Sequence, residues 1–188
     1  DLLPVEDALE SLVAPLAKQK PVLLVVLDGM SYAVYRELQD DLINNQWVEI
    51  NNNTEVMSRC LIAALPTITK ISAIAGTEHR VIGTVINAID DQLSSSSQVT
   101  VSWDLKAITL LRHVLEAARE ANRVVLITSD HGHVLEHSSN YLNGSEEGGE
   151  RYRLGSNPGD QEVLVSGPRV VTPSTSAILP WSESVRYT

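Results

Sequence analysis

Two short apolar runs of this chain end abruptly in acidic residues, and this feature constrains the fold more than any other. The run Val22–Leu27 is followed by Asp28, and the run Val124–Thr128 is followed, after one serine, by Asp130 and His131. Apolar runs of this length are typical of buried parallel strands. Because open α/β sheets bind ligands beyond the carboxyl ends of their strands, the pattern indicates a ligand site at that edge.

A divalent metal ion is the ligand that suits these residues. A single aspartate at a strand end is often only a turn residue or a helix cap. Two such positions in one chain, one of which continues as Asp130-His131-Gly132-His133, favour a metal site instead. Mixed carboxylate and imidazole ligands suit Zn²⁺, Mn²⁺ or Mg²⁺.

The remaining pattern predicts alternating strands and helices. Helices are predicted at residues 5–18, 31–42 and 105–122, with one more beginning near Thr69. Further strands are predicted at 47–50 and 81–89, and a hairpin from 162–166 and 169–172 follows an exposed loop at 140–160. This alternation predicts an α/β fold, a doubly wound, mostly parallel sheet with helices on both faces.

Length and charge limit the class of protein. The chain has 188 residues, of which 43% are hydrophobic, so a single α/β domain with a substantial core is expected. The net charge of -10 argues against passive binding to a polyanion surface, which needs clustered Lys and Arg. A nucleic-acid or nucleotide substrate stays open, because bound metal ions would supply the positive charge.

Cysteine usage and the chain start bear on location. Cys60 is the single cysteine, so no intrachain disulfide can form and a reducing cytoplasm is expected. The start lacks a secretory signal, and no apolar stretch approaches the roughly 20 residues that span a bilayer, so no membrane partner is expected. Because the chain begins at Asp1, we expect a fragment of a longer chain with loops missing.

Two further segments add acidic and hydroxyl groups. The strand predicted at 81–89 leads into Asp90 and Asp91, and Pro66-Thr67-Ile68-Thr69 precedes a helical pattern. A phosphate can bind at a helix start beside such a hydroxyl, or the hydroxyl can simply cap the helix. Two metal ions about 4 Å apart can clamp the attacking and leaving oxygens of a phosphoryl transfer. The chain has no Walker or dinucleotide glycine loop and no Gly-x-Ser-x-Gly elbow.

Four segments, taken in order, resemble the alkaline phosphatase superfamily and, within it, a PglZ domain. They are Val25–Met30, Leu65–Ser72, Val85–Asp91 and Val125–Val134, and the tail Glu183–Thr188 is also similar to a PglZ stretch. The resemblance covers about Val22 to His133. It implies an alkaline phosphatase-like core with two divalent metal ions, zinc or else manganese or magnesium.

The resemblance also implies roles for individual residues. Asp28, Asp130 and His131 would hold one ion. Asp90, with Asp91 as the alternative, would hold the other. Thr69 would be the nucleophile and a metal contact, with Thr67 as the runner-up.

The chain departs from the superfamily pattern in two places. Members commonly carry a His four residues after the third-strand Asp, where this chain has Ser94. The final metal His usually lies in a later segment, and His133 is the candidate to replace it, although it could equally act as a supporting or surface group. His79 and His137 are expected to be solvent-exposed, and His113 falls in a predicted helix.

PglZ proteins resemble components of bacterial BREX-type phage defence, which work beside a DNA methyltransferase and large ATPases. The resemblance therefore implies a cytoplasmic, metal-dependent phosphohydrolase, foremost a phosphodiesterase, with a phosphodiester or nucleic-acid substrate. The alternative is a catalytically degenerate scaffolding module of the defence complex, which the missing histidine favours. A phosphomutase is a third, weaker hypothesis, because it would share the metal scaffold.

Overall fold

A computed structural model describes residues 3–4, 7–50, 61–62, 80–93, 102–133 and 140–188. These residues fall into two compact units, one holding the described residues up to His133 and the other holding residues 140–188. The first unit contains the predicted strand ends. Within the described residues, no helix is long and apolar enough to cross a bilayer.

Helices and strands alternate through the first unit. Its strands are β1 (Leu3–Pro4), β2 (Val22–Leu27), β3 (Leu61–Ile62), β4 (Val81–Ile86) and β5 (Val124–Thr128). Its α-helices are α1 (Ala14–Gln19), α2 (Tyr32–Asn44), α3 (Ala88–Leu93) and α4 (Thr109–Glu120), and a π-helical stretch, Leu9–Val13, leads into α1. β1 and β3 form a separate parallel pair.

A parallel three-stranded sheet lies at the centre of this unit, in the order β4-β2-β5. Val22 is level with Val81 on one side and with Val124 on the other. All three strands run in the same direction, so their carboxyl ends meet at one edge. The structure thus confirms a mixed α/β fold with a parallel sheet flanked by helices.

The core of the first unit forms between one face of β2 and the flanking helices. Leu23, Val25 and Leu27 alternate onto this face, as the two-residue period of a strand requires. They join a buried cluster with Leu38 of α2 and Leu111 of α4, both fully buried. Leu, Ile and Val therefore do the packing in a chain without Phe.

Several predicted elements match the structure closely. Strands 22–27 and 124–128 have the predicted bounds, and the helix predicted from 31 begins at Tyr32. Ser31 caps this helix, since its Oγ accepts a hydrogen bond from the Val34 N–H at 3.3 Å. The helix predicted at 105–122 is shorter, because the Asp104 carboxylate accepts from two backbone N–H groups and holds a turn before Thr109.

One strand prediction in this unit was too long, and another was wrong. The strand predicted at 81–89 ends at Ile86, and Asp90 and Asp91 lie in the first turn of α3 instead. The segment 47–50 is not a strand, because the Trp47 N–H bonds back to Leu42 O at the end of α2. The Trp47 ring then packs under the Arg119 guanidinium, 4.8 Å from the ring centre.

The second unit contains four short strands, β6 (Asn140–Leu142), β7 (Glu162–Ser166), β8 (Ser176–Pro180) and β9 (Val185–Tyr187). The predicted hairpin has the right first strand and the wrong second one, because β7 pairs antiparallel with β8 and not with 169–172. The predicted loop at 140–160 contains β6, which pairs parallel with β9.

A charged cluster ties the strands of the second unit together. Arg153 donates from Nε and Nη2 to the two carboxylate oxygens of Glu162, at 2.7 and 2.6 Å. The Tyr187 hydroxyl donates to the same carboxylate at 2.7 Å. These donors lower the pKa of Glu162 to about 2, with the hydrogen bond from Arg153 as the largest cause.

Candidate metal centre

The turn after β2 aims Asp28 away from the sheet. The Asp28 N–H donates to Ile86 O at 3.0 Å, which extends the strand pairing by one residue, and the Met30 N–H then donates to Leu27 O. Gly29 adopts a φ of 76°, a conformation that costs little only for glycine. The carboxylate is thereby fixed at the carboxyl end of the central strand.

The loop after β5 brings a second carboxylate and an imidazole to the same edge. The Asp130 carboxylate accepts from the His131 N–H at 2.8 Å, so the two side chains are held on adjacent backbone. His131 Nδ1 lies 3.0 Å from Gly132 O. A carbonyl oxygen can only accept, so Nδ1 carries a proton and Nε2 is directed toward the carboxylates.

Asp28, Asp130 and His131 converge into one cluster. His131 Nε2 lies 3.1 Å from Asp28 Oδ1 and 3.7 Å from Asp130 Oδ2. One ligand atom from each residue lies within 4.8 Å of the other two. The side chains are 16%, 6% and 28% exposed for Asp28, Asp130 and His131, so the cluster is largely shielded from water.

The donor set and one orphaned atom fit a divalent ion. Asp28 Oδ1 is buried and accepts no hydrogen bond within the described structure, although His131 Nε2 lies 3.1 Å away. Burying a carboxylate oxygen without a donor is costly, and a cation placed between the three groups would remove that cost. Two carboxylates and one imidazole are suitable ligands for Zn²⁺ or Mn²⁺.

The pKa shifts of Asp28 and His131 also fit a bound cation. Burial raises the pKa of Asp28, and the carboxylate of Asp130 and, more weakly, that of Asp90 raise it further, against an opposing effect of His131. Burial lowers the pKa of His131, but the Gly132 carbonyl and the surrounding carboxylates outweigh it, so the net shift is upward. The cluster therefore concentrates negative charge that a bound cation would neutralise.

Asp90 packs beside the turn that carries Asp28. A Cβ placed on Gly29 would lie 3.4 Å from the Asp90 Cβ, so the Asp90 side chain packs against the turn that carries Asp28. Asp91 is exposed in the same helical turn. Asp90 is thus next to the turn of Asp28 on its β4 side, but among the described residues the grouped ligand atoms are those of Asp28, Asp130 and His131 alone.

His133 contacts the turn after β2 but is not part of the triad. Its Nδ1 lies 2.5 Å from Gly29 O, and the side chain is partly buried. His113 is exposed on α4. The predicted nucleophile Thr69, its runner-up Thr67, and the residues Cys60, Ser94, His79 and His137 lie outside the described residues.

Ser129 is a site residue that sequence reasoning missed. Its Oγ lies 2.8 Å from Leu27 O and 2.5 Å from His131 O, between the two loops. The sequence contained one signal for Ser129. It lies between the β5 run and Asp130, and a side chain at that point lies at the same sheet edge.

Two sequence comparisons found no relative of this chain. No protein-family model matches the chain, and no curated protein matches it in sequence. The described cluster is small, acidic and partly buried, and it lies at a sheet edge.

Proposed function

We propose that the chain is a metal-dependent phosphohydrolase with an alkaline phosphatase-like, doubly wound core of the PglZ type. The observation that carries the proposal is the convergence of Asp28, Asp130 and His131 at the carboxyl edge of a parallel sheet, with one buried carboxylate oxygen lacking a donor. Phosphodiesters are the proposed substrates. The proposed setting is the bacterial cytoplasm, in BREX-type phage defence beside a methyltransferase and ATPases.

The proposed roles follow from the positions of the side chains. Asp28, Asp130 and His131 would hold one divalent ion, and Asp90 would contribute to a second on the other side of Asp28. Bound divalent ions would supply positive charge that stabilises phosphoryl oxygens and lowers the pKa of a hydroxyl. Thr69 is the proposed nucleophile, because the resemblance implies a nucleophile at the second threonine of Pro66-Thr67-Ile68-Thr69.

His131 is prepared for ligation by its neighbours. Because Nδ1 donates to the Gly132 carbonyl, the neutral ring presents the Nε2 lone pair toward both carboxylates. Without a cation, the same carboxylates favour a protonated ring, as the raised pKa of His131 indicates. A cation and a proton should therefore compete for Nε2 of His131.

Metal content and hydrolysis test the proposal together. The purified protein should bind Zn²⁺ or Mn²⁺ and cleave a nitrophenyl phosphodiester, and Asp28→Asn should lose both properties. Asp40→Asn, an exposed aspartate on α2, is the matched control and should retain both. Thr69→Ala should bind metal without hydrolysis. A wild-type protein with neither bound metal nor hydrolysis would exclude the proposal, and loss of activity in Thr67→Ala alone would move the nucleophile to Thr67.

A scaffolding module is the second candidate, and one sequence feature favours it. Ser94 stands where superfamily members commonly carry a histidine four residues after the third-strand aspartate. A chain that kept only the Asp28, Asp130 and His131 site would bind one structural ion. Metal binding at one ion per chain, with no hydrolysis of any phosphodiester or phosphomonoester, would support this second function over the first.

A further inference from the structure

Two side chains of the loop after β5 reach across to the turn after β2, one on each side of Asp28. Ser129 Oγ lies 2.8 Å from the carbonyl oxygen of Leu27, the residue before Asp28. His133 Nδ1 lies 2.5 Å from the carbonyl oxygen of Gly29, the residue after it. Both contacts join segments that are distant in sequence, 102 and 104 residues apart respectively.

Hydrogen-bond chemistry fixes the role of each group. A carbonyl oxygen only accepts, so the proton of His133 is on Nδ1, and the single hydroxyl proton of Ser129 is shared between Leu27 O and His131 O. Nδ1 of His133 is therefore occupied by the protein backbone and cannot bind a cation. The same Ser129 oxygen lies 2.5 Å from His131 O, so it also contacts the segment that carries the imidazole ligand.

These contacts oppose a repulsion that the triad creates. The carboxylates of Asp28 and Asp130 belong to different loops, and their nearest ligand atoms lie within 4.8 Å of each other. Like charges at that distance push the two loops apart in the absence of a cation, and the attraction of Asp28 to His131 opposes this repulsion only in part. Ser129 and His133 join the loop after β5 to the backbone just before and just after Asp28. These contacts hold the carboxylates in place against the repulsion.

We propose that Ser129 and His133 are positioning residues that hold the turn of Asp28 against Asp130 and His131, and that His133 is not a metal ligand. The inference rests on the proposed metal site and assigns two residues that support it. Supporting groups of this kind typically change metal affinity by about 10- to 100-fold when they are removed.

Two substitutions of one residue separate positioning from ligation. The side-chain amide nitrogen of Asn takes the place of a histidine Nδ1, whereas that of Gln takes the place of Nε2. His133→Asn should therefore keep the donor to Gly29 O and hold Mn²⁺ within about threefold of wild type, while His133→Gln and His133→Ala should bind about 10- to 100-fold more weakly. Ser129→Ala should weaken binding similarly.

Calorimetric titration of the full chain with Mn²⁺ measures the affinity, and the absorption spectrum of the Co²⁺ form reports the ligand set. A positioning role predicts lower affinity with unchanged Co²⁺ band positions, whereas loss of a nitrogen ligand would shift the bands. His113→Gln, at an exposed histidine, is the control and should match wild type.

Each result decides between the two proposals. Mn²⁺ binding by the wild type, together with tighter binding by His133→Asn than by His133→Gln, supports the inference. The inference is overturned, and the proposed function stands, if His133→Gln binds Mn²⁺ as tightly as His133→Asn or more tightly. The same holds if no His133 variant differs from wild type in Mn²⁺ affinity. A wild-type chain that binds neither Mn²⁺ nor Co²⁺ overturns both.

Discussion

Replacing Asp28 with asparagine should change stability in opposite directions with and without a bound ion. Without metal, the ionised carboxylate is destabilised on folding, because burial and the charge of Asp130 raise its pKa despite the attraction of His131. The asparagine side chain would keep the size of the aspartate and remove its charge. We therefore expect Asp28→Asn to raise the free energy of unfolding in a chelator at pH 8.

The magnitude follows from the separation of the two carboxylates. Their ligand oxygens lie within 4.8 Å. Two unit charges at that distance repel by about 0.9 kcal/mol in water and about 3.5 kcal/mol at an effective dielectric constant of 20. The lost attraction to His131 offsets part of this, so a gain of about 1–2 kcal/mol is expected for the variant without metal.

With metal, the order should reverse. A ligand at a hundred times its dissociation constant stabilises the folded state by about 2.7 kcal/mol, a gain that the wild type keeps and Asp28→Asn largely loses. Urea unfolding followed by circular dichroism, in EDTA and in excess Zn²⁺ or Mn²⁺, measures both values. Asp40→Asn should change by less than about 0.5 kcal/mol in either condition. An Asp28→Asn protein that is less stable than wild type in EDTA would refute the repulsion on which this reasoning depends.

Two further substitutions test the geometry of each unit. Glu162→Gln should destabilise the protein by about 2–4 kcal/mol at pH 7, because it leaves the Arg153 guanidinium without its charged partner. Since the pKa of Glu162 is lowered from 4.5 to about 2, its contribution is fully present above pH 4.5 and is lost as pH falls toward 2, so urea midpoints of variant and wild type should converge there. Gly29→Ala should cost about 1–2 kcal/mol and weaken Mn²⁺ binding, because the φ of 76° is unfavourable for alanine and strains the turn that carries Asp28. Equal affinity for Mn²⁺ in this variant would show that the conformation of the turn does not determine metal binding.

Local sequence signals predicted the parts of the fold that local forces determine. Strands 22–27 and 124–128 were correct because each is an apolar, β-branched run between residues that stop a strand. The start of α2 was correct because Ser31 is an ordinary helix cap. The triad of Asp28, Asp130 and His131 was predicted for the same reason, since each residue lies directly after a strand or within a few positions of its end.

The errors have a common cause in contacts that are distant along the chain. The apolar residues of 81–89 continue past the strand because Ile89 is buried on the inner face of α3, and hydrophobicity alone does not separate the two elements. The alternating segment 47–50 lacks a strand partner among the described residues, and Val48 is 82% exposed. β8 was missed because its pairing with β7 depends on Ala177 and Ile178, which are buried in the second unit.

The order of the strands in the sheet decides which aspartate the candidate site depends on. This order cannot be read directly from the sequence. With β2 between β4 and β5, Asp28 has Asp130 and His131 on one side and Asp90 on the other. If β4 or β5 were central, Asp28 would border only one of these groups. Asp28 therefore lies between these groups, and the charges of both Asp130 and Asp90 act on its pKa. Under the proposed function, loss of Asp28 should abolish binding of both ions, whereas loss of Asp90 should spare the ion held with Asp130 and His131.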